Sequence, residues 1–327
     1  MTTYKNIKGI EIKYLSADPP APNAGQVWYN STTKVVKGAI NGVGAWASGN
    51  NLNGTNNQKR AGAGIQSSAI VMGGVGTGDD SNVDTELYNG SAWTEVNSLN
   101  DGRGLAAGAG TVNTAALLTA GRTASQARYD STEIWDGSCW TEVNNLNTAR
   151  YYAAGDGTST AAILAGGNAA PAVTDETEIW DGTCWSEVNN LNSAREQTDA
   201  LMGTTAAAII ATGQLGGLGA LTANSEKWDG TCWTEVANVN TARILVAGAG
   251  ISTSAIIFGG NPALAITESW NGTSWTEVAD LAVGRKNTTG SGTATLGLAA
   301  GGGTNPTAVA TEEWTLTAFT TKTFDTD

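Results

Sequence analysis

A twelve-residue segment with two aromatic side chains recurs along the chain, and it restricts the possible folds more than any other feature. Two clear copies read TEIWDGSCWTEV at 132–143 and TEIWDGTCWSEV at 177–188. The second aromatic residue returns every 42 to 48 residues, at Trp46, Trp93, Trp140, Trp185, Trp233, Trp275 and Phe319. This period is typical of the four-stranded blade of a β-propeller. We therefore predict an all-β propeller of four-stranded antiparallel blades. It has seven blades if the first 35 residues join the hairpin near Asn41 as a divergent blade, and six otherwise.

Six of the seven copies contain Asp-Gly or Asn-Gly between two apolar stretches, which predicts a two-residue hairpin loop. With Asp136 and Gly137 as the loop, Trp135 would pair with Ser138 and Glu133 with Trp140. Alternation then assigns two faces, one with Glu133, Trp135, Trp140 and Glu142 and the other with Ile134, Cys139, Thr141 and Val143. Because both faces carry apolar side chains, each sheet must be covered on both sides, as a blade is by its neighbours.

A second pair of strands lies between successive hairpins. An arginine comes first, then a strand of small residues that suits the crowded propeller axis, then an apolar strand. The arginines are Arg60, Arg103, Arg150, Arg195, Arg243 and Arg285. We expect each to pin its own connection through carbonyls or a neighbouring carboxylate, with an anion-binding ring as the alternative. The glutamates that recur in nearly every copy, such as Glu133 and Glu142, are predicted to be structural and not catalytic.

At these residues the chain resembles the kelch and galactose-oxidase type of propeller. The matching features are Gly-Gly at the end of the second strand (residues 73–74, 166–167 and 259–260), an aromatic residue on the third strand and Trp on the fourth. The resemblance covers about residues 35 to 327. The chain departs from the kelch pattern in two features, the Trp or Tyr on the third strand and the very short hairpin.

The N-terminal segment differs from the repeats. Residues 19–38, PPAPNAGQVWYNSTTKVVKG, resemble a segment near the start of tail-fibre and other virion proteins of marine bacteriophages, and GAWASGNNLN and TEVNNLNTAR resemble those proteins too. This resemblance implies a non-enzymatic virion protein that contacts other virion proteins and adheres to a host-surface glycan or receptor. We expect residues 1–49 to form a divergent first blade or an attachment segment, and residues 50–327 to form the propeller.

Composition excludes several kinds of chemistry. The chain has no His, which removes His-dependent nucleophilic catalysis and His-ligated metal sites. The net charge of −13 argues against nucleic-acid binding, and the apolar runs are too short to span a bilayer. Cys139, Cys184 and Cys232 share one repeat position and are predicted to be small core residues, too far apart for a disulfide.

No cofactor, metal or enzymatic activity is therefore expected. A solvated turn at Asp79 and Asp80 is favoured over a calcium site. Two alternatives for the function stay open: a glycan-processing enzyme and a cellular kelch-type interaction domain. For sialidase-like chemistry, which needs Arg, Tyr and acids together, Arg150, Tyr151, Tyr152 and Asp156 are locally suggestive.

Residues that break the repeat are the best candidates for binding, since variable loops on a rigid scaffold usually carry function. They follow each arginine or lie between the second and third strands, on one face of the predicted disc. The candidates for a partner or glycan site are Tyr151, Tyr152, Arg122, Arg128 and Tyr129. The alternative is that the tyrosines pack over the end of their own blade.

Overall fold

The computed structural model describes residues 12–19, 26–40, 42–54, 60–75, 82–216, 219–303, 309–317 and 320–324. Its regular elements are all strands, and no helix of the described residues is long and apolar enough to cross a membrane. The chain divides into unit 1, Met1–Gly44 with Leu316–Asp327, and unit 2, Ala45–Thr315. Asp79, Asp80 and Phe319 lie outside the described residues.

The strands follow one another as β1 (Lys13–Leu15), β2 (Val27–Asn30), β3 (Val35–Ile40), β4 (Gly44–Gly49), β5 (Ala61–Ile65), β6 (Ser68–Met72), β7 (Thr85–Tyr88), β8 (Trp93–Val96), β9 (Ala107–Val112), β10 (Ala115–Thr119), β11 (Thr132–Trp135), β12 (Trp140–Val143), β13 (Arg150–Tyr151), β14 (Ala154–Thr158), β15 (Ala161–Ala165) and β16 (Asn168–Ala169). They continue as β17 (Thr177–Trp180), β18 (Trp185–Val188), β19 (Arg195–Glu196), β20 (Leu201–Thr204), β21 (Ala207–Ala211), β22 (Gln214–Leu215), β23 (Ser225–Trp228), β24 (Trp233–Val236), β25 (Ala247–Ile251), β26 (Ser254–Phe258), β27 (Thr267–Trp270), β28 (Trp275–Glu277), β29 (Thr289–Gly292), β30 (Leu296–Ala300), β31 (Thr311–Leu316) and β32 (Thr320–Phe324).

Unit 2 contains six four-stranded sheets within its described residues. Five use consecutive strands of the chain, apart from the short pairs β13–β16 and β19–β22, and the sixth has the order β29-β30-β31-β4. The innermost strands β5, β9, β14, β20, β25 and β29 each contact the next, and β29 contacts β5. The predicted all-β propeller fold is thus confirmed. The ring of unit 2 follows the six-blade alternative instead of the seven-blade prediction, because β4 completes the sixth sheet.

The sheet of unit 1 is built differently, in the order β1-β2-β3-β32. Strand β1 runs parallel to β2, whereas neighbouring strands in the first five blades pair antiparallel. Asp18 supports this sheet, since its Oδ1 accepts hydrogen bonds from Trp28 Nε1 at 3.0 Å and Asn30 Nδ2 at 2.8 Å. The predicted segment 1–49 therefore supplies both this sheet and strand β4.

Small residues on the innermost strands follow from how closely these strands approach. A Cβ on Gly62 would lie 2.0 Å from Thr289 Cγ2, and one on Gly108 would lie 2.6 Å from the carbonyl oxygen of Gly62. Both distances are far below van der Waals contact, so larger residues would force the blades apart. The small-residue repeat is thus a requirement of ring closure.

The hairpin register differs from the prediction by two residues. Trp135 pairs with Trp140 and Glu133 with Glu142, which leaves a four-residue loop at 136–139. Asp136 Oδ1 closes this loop by accepting hydrogen bonds from the amides of Ser138 and Cys139, at 2.8 and 2.9 Å. Because the shift is even, the faces assigned to Glu133, Trp135, Trp140 and Glu142 are unchanged.

The prediction that the cysteines belong to the core is wrong. Cys139, Cys184 and Cys232 are exposed free thiols. Each ends the four-residue loop instead of beginning the strand, so its side chain never reaches the interior.

The tryptophans hold adjacent blades together, as predicted. Trp140, Trp185 and Trp233 are buried. Each indole donates a hydrogen bond to a threonine hydroxyl on the third strand of the preceding blade, for example Trp185 Nε1 to Thr132 Oγ1 at 2.9 Å. The same contact closes the ring, from Trp93 of the first blade to Thr311 of the sixth at 3.0 Å.

The recurring arginines pin their connections, as predicted, and each does so through a buried glutamate. The pairs are Arg60–Glu86, Arg103–Glu133, Arg150–Glu178, Arg195–Glu226, Arg243–Glu268 and Arg285–Glu312. Each arginine joins the chain entering a blade to the third strand of that blade. These guanidinium groups are therefore structural and do not form an open anion-binding ring.

Candidate functional site

The second residue after the arginine adopts a left-handed backbone in five of the six connections. These residues are Leu105, Tyr152, Gln197, Leu245 and Asn287, with φ from 54° to 61°. From Tyr152 onward, the amide of each donates to the carbonyl of the one before it, at 2.8–3.2 Å, so together the five residues form an arc across consecutive blades. We call this arc, which lies where the innermost strands begin, the axial mouth. Left-handed non-glycine residues carry strain that is often associated with functional sites.

A hydrogen-bonded chain of polar side chains crosses three blades beside the axial mouth. Arg128 donates through Nη2 to Asn168 Oδ1 at 2.7 Å and through Nε to the Asn168 carbonyl at 3.2 Å. Asn168 Nδ2 donates to Glu196 Oε2 at 2.9 Å, and Gln197 Nε2 donates to Gln214 Oε1 at 3.1 Å. The short pairs β13–β16 and β19–β22 fix the backbones that carry these groups. These hydrogen bonds fix the polar side chains, which together form a wall beside the axial mouth.

Two tyrosines and two arginines meet next to this wall. The rings of Tyr151 and Tyr152 are 5.2 Å apart between centroids. The guanidinium carbons of Arg122 and Arg128 each lie 5.4 Å from the centroid of Tyr151, within cation–π range. Both tyrosines are half-buried, so each ring keeps a surface that a ligand can reach.

Tyr152 stays protonated in this environment. Burial raises its pKa to about 12, and the fields of Asp199, Glu196 and Tyr151 add to the rise while Arg122 opposes it. The hydroxyl of Tyr152 can therefore both donate and accept a hydrogen bond at neutral pH.

Two carboxylates line the axial channel that the innermost strands enclose, a cavity of about 70 Å³ with mostly Gly and Ala in its wall. Asp156 accepts hydrogen bonds from the amides of Gly157 and Gly203, both at 2.7 Å. Asp199 lines the channel and is exposed. Loss of hydration raises the pKa of both groups.

The structure brings four of the five predicted site residues together: Tyr151, Tyr152, Arg122 and Arg128. Tyr129 instead covers the guanidinium of Arg103 at 4.4 Å, which is the packing role that the sequence offered as the alternative. Sequence reasoning missed Asn168 and Asp199. Asp199 carried a usable signal, since it is an acid immediately before the small and apolar residues 200–203 at the axis. Asn168 carried none, because its role depends on two neighbouring blades.

No group of three or more His, Cys, Asp or Glu side chains in the described ranges could hold a metal ion. No family model and no curated protein matches the chain. Among solved structures, the structure of YjhT matches with a TM-score of 0.65 and 12% sequence identity, covering 81% of this chain and 96% of that chain. This similarity shows the fold, a β-propeller of the kelch type.

The prediction that the chain is not an enzyme is contradicted by this comparison. The physical reason for the error is that a lack of His excludes only His-dependent chemistry. Carboxylates and tyrosines, which the axial mouth and channel provide, also transfer protons.

Proposed function

We propose that the axial mouth binds a glycan and that the protein acts on it as a glycan-processing enzyme. The observation that carries this proposal is the meeting of Arg122, Tyr151 and Tyr152 beside the hydrogen-bonded Glu196, with Asp199 in the axial channel, from three consecutive blades. All of them lie at positions that differ from blade to blade, whereas the Trp, Glu and Arg of the scaffold repeat. Aromatic faces beside hydrogen-bonding groups match the two sides of a sugar ring.

Asp199 is the group best suited to proton transfer. Its raised pKa keeps a larger share of the carboxyl protonated near neutral pH than an ordinary aspartate would have. The Tyr152 hydroxyl can hold a sugar oxygen in place while Asp199 delivers a proton to the glycan. Tyr151, held between two arginines, provides a fixed aromatic surface.

The virion role is a further part of the proposal, and its support is the resemblance of residues 19–38 to phage virion segments. On this view the protein is carried on the particle, contacts other virion proteins and presents the axial mouth to host-surface glycan. Mass spectrometry of purified particles, with antibody labelling of the intact virion, tests this location.

The experiment for the enzymatic proposal is a panel of bacterial surface polysaccharides, scored for binding and for release of new reducing ends or altered sugars. Asp199→Asn should lower turnover at least about a hundredfold and leave binding within a few fold, since general acid catalysis contributes roughly 10²–10⁴. The control is Glu187→Gln, an exposed acid on an outer strand, which should leave both unchanged. Turnover that Asp199→Asn does not alter, in a variant with an unchanged melting temperature, would rule out this role for Asp199, and a panel with no bound glycan would rule out the function.

A further inference from the structure

Arg122 differs from the other arginines around it. The six connection arginines are buried against glutamates. Arg128 donates twice to Asn168. In the described part of the chain, the guanidinium of Arg122 has no hydrogen-bond acceptor and no acid within ion-pair distance, and its contact is the ring of Tyr151.

The position of Arg122 is nevertheless fixed. Its backbone pairs with Gly104 through both hydrogen bonds, at 2.9 and 3.1 Å, and it forms a bridge with Arg128. The side chain is half-buried. A guanidinium that is held over an aromatic ring with its donors free is arranged to receive a planar or tetrahedral oxyanion.

The acids near the axial mouth do not compete for Arg122. Glu196 is buried, with its oxygens accepting from the Asn168 and Gln197 amides, and Asp199 faces the channel. Lys286, a further cation beside the axial mouth, donates to Asn261 Oδ1 at 3.1 Å and enters the sixth blade.

We infer that Arg122 selects glycans that carry an oxyanion substituent, either a carboxylate or a sulfate ester, within reach of the Tyr151 ring. This inference rests on the proposed function and names the class of substrate for the same site. The net charge of −13 would repel anions in general, so the selection must come from direct contact with the Arg122 fork.

The test compares matched oligosaccharides that are neutral, carboxylated or sulfated, with binding measured by calorimetry at low salt. Wild type should bind one charged form at least about tenfold more tightly than the neutral form, and the difference should shrink at high salt. The comparison between the two charged arms identifies the substituent. Arg122→Gln should remove the preference while neutral binding persists, and Arg122→Lys should restore only part of it because lysine lacks the planar fork.

The control Lys286→Gln should keep the preference. Arg122→Gln should also keep the wild-type melting temperature, since the guanidinium makes no hydrogen bond. Equal binding of neutral and charged sugars by wild type, or a preference that survives in Arg122→Gln, would overturn the inference and leave the proposed function in place. Absence of binding to every sugar would overturn both.

Discussion

At the scale of single residues, the six buried Arg–Glu pairs do more than balance charge. In the second blade, Glu133 Oε1 accepts from Arg103 Nη2 at 2.8 Å, and Oε2 accepts from the backbone and side-chain amides of Asn100 at 2.9 and 2.8 Å. One carboxylate thus fixes the chain that enters the blade. Since both charges are nearly inaccessible to solvent, neither can be removed alone without leaving the other uncompensated.

Glu133→Gln should therefore lower the free energy of unfolding by about 3–5 kcal/mol, the usual loss when one partner of a buried pair is removed. Glu142→Gln is the matched control, because Glu142 pairs directly with Glu133 across the strands but is exposed, and it should change stability by less than about 0.5 kcal/mol. Urea titration of both variants measures the difference. Equal losses would contradict the assigned burial.

Trp185→Ala should cost about 3–5 kcal/mol, as expected for a buried large aromatic residue. The substitution empties the space between two blades and removes the hydrogen bond to Thr132. The neighbouring Cys184→Ser, at an exposed loop position, should leave the melting temperature unchanged. An unchanged melting temperature for Trp185→Ala would show that the blades do not pack through this residue.

Asp156 should give the stability of the protein a dependence on pH. Burial raises its pKa in the folded state to about 7, above the ordinary value of 3.8. The folded state thus prefers the protonated form, so its stabilising effect is complete below about pH 4 and is lost as the pH rises to about 7. The decline should be on the order of 2 kcal/mol, since one pKa unit is worth about 1.4 kcal/mol and the side chain is partly hydrated.

The measurement is chemical denaturation of wild type and Asp156→Asn between pH 4 and 8. Asp199 contributes with the same sign in both proteins, so the difference between them isolates Asp156. Parallel curves for the two proteins would refute a raised pKa at this residue.

At the scale of elements, the sixth sheet differs from the others because its outer strand comes from the other end of the sequence. Strand β4 supplies Trp46, whose indole donates to Thr267 Oγ1 at 3.0 Å and whose ring packs 4.9 Å from that of Phe258. The first and last parts of unit 2 are thereby joined in one sheet. Because the two parts are joined in this way, the ring has no gap at which neighbouring blades could separate.

Two N-terminal truncations test this closure. Removing residues 1–49 eliminates β4, while removing residues 1–41 keeps it, and both lack strands β1 to β3. The longer deletion should melt at a temperature at least about 5 °C lower than the shorter one, since the sixth sheet loses a strand and the packing of Trp46. Equal melting temperatures would mean that β4 does not contribute to closure.

At the scale of the whole molecule, the repeated scaffold and the variable axial mouth are separate properties. The Trp, Glu and Arg positions are the same in every blade, so changes there affect stability first. Side chains at the axial mouth are not required by the scaffold, which fixes only the left-handed backbone of the arc. The axial mouth is therefore free to differ between blades, as a binding site requires.

Replacing Tyr151 and Tyr152 together with Ser should abolish attachment to the glycan or host cell while leaving the fold intact. Tyr129→Ser should do the opposite, with normal attachment and a lower melting temperature, because its ring covers Arg103. Binding assays and thermal melts on the two variants distinguish these outcomes. If the double variant folds and still attaches, the binding surface lies elsewhere, and the hairpin loops or the N-terminal segment replace the axial mouth as candidates.

The amino-acid sequence by itself determined the blades. The spacing of Trp140, Trp185 and Trp233 predicted a four-stranded unit of 42 to 48 residues, and alternation around Asp136 and Gly137 predicted which side chains share a face. These properties are local, because they depend on strand periodicity and on turn residues within one hairpin. The same local reasoning placed Cys139 in the strand instead of in the loop. It could not distinguish a two-residue turn from a four-residue loop closed by Asp136.

Only the tertiary structure decided how the blades meet. The number of sheets in the ring depends on β4 pairing with β31, a contact between residues far apart in the sequence. The partners of Asn168, Glu196 and Arg122 likewise lie on different blades, and no pattern within one repeat specifies them. Local sequence thus specified each blade. Contacts between blades placed the guanidinium of Arg122 beside the ring of Tyr151, and they placed Asp199 in the axial channel.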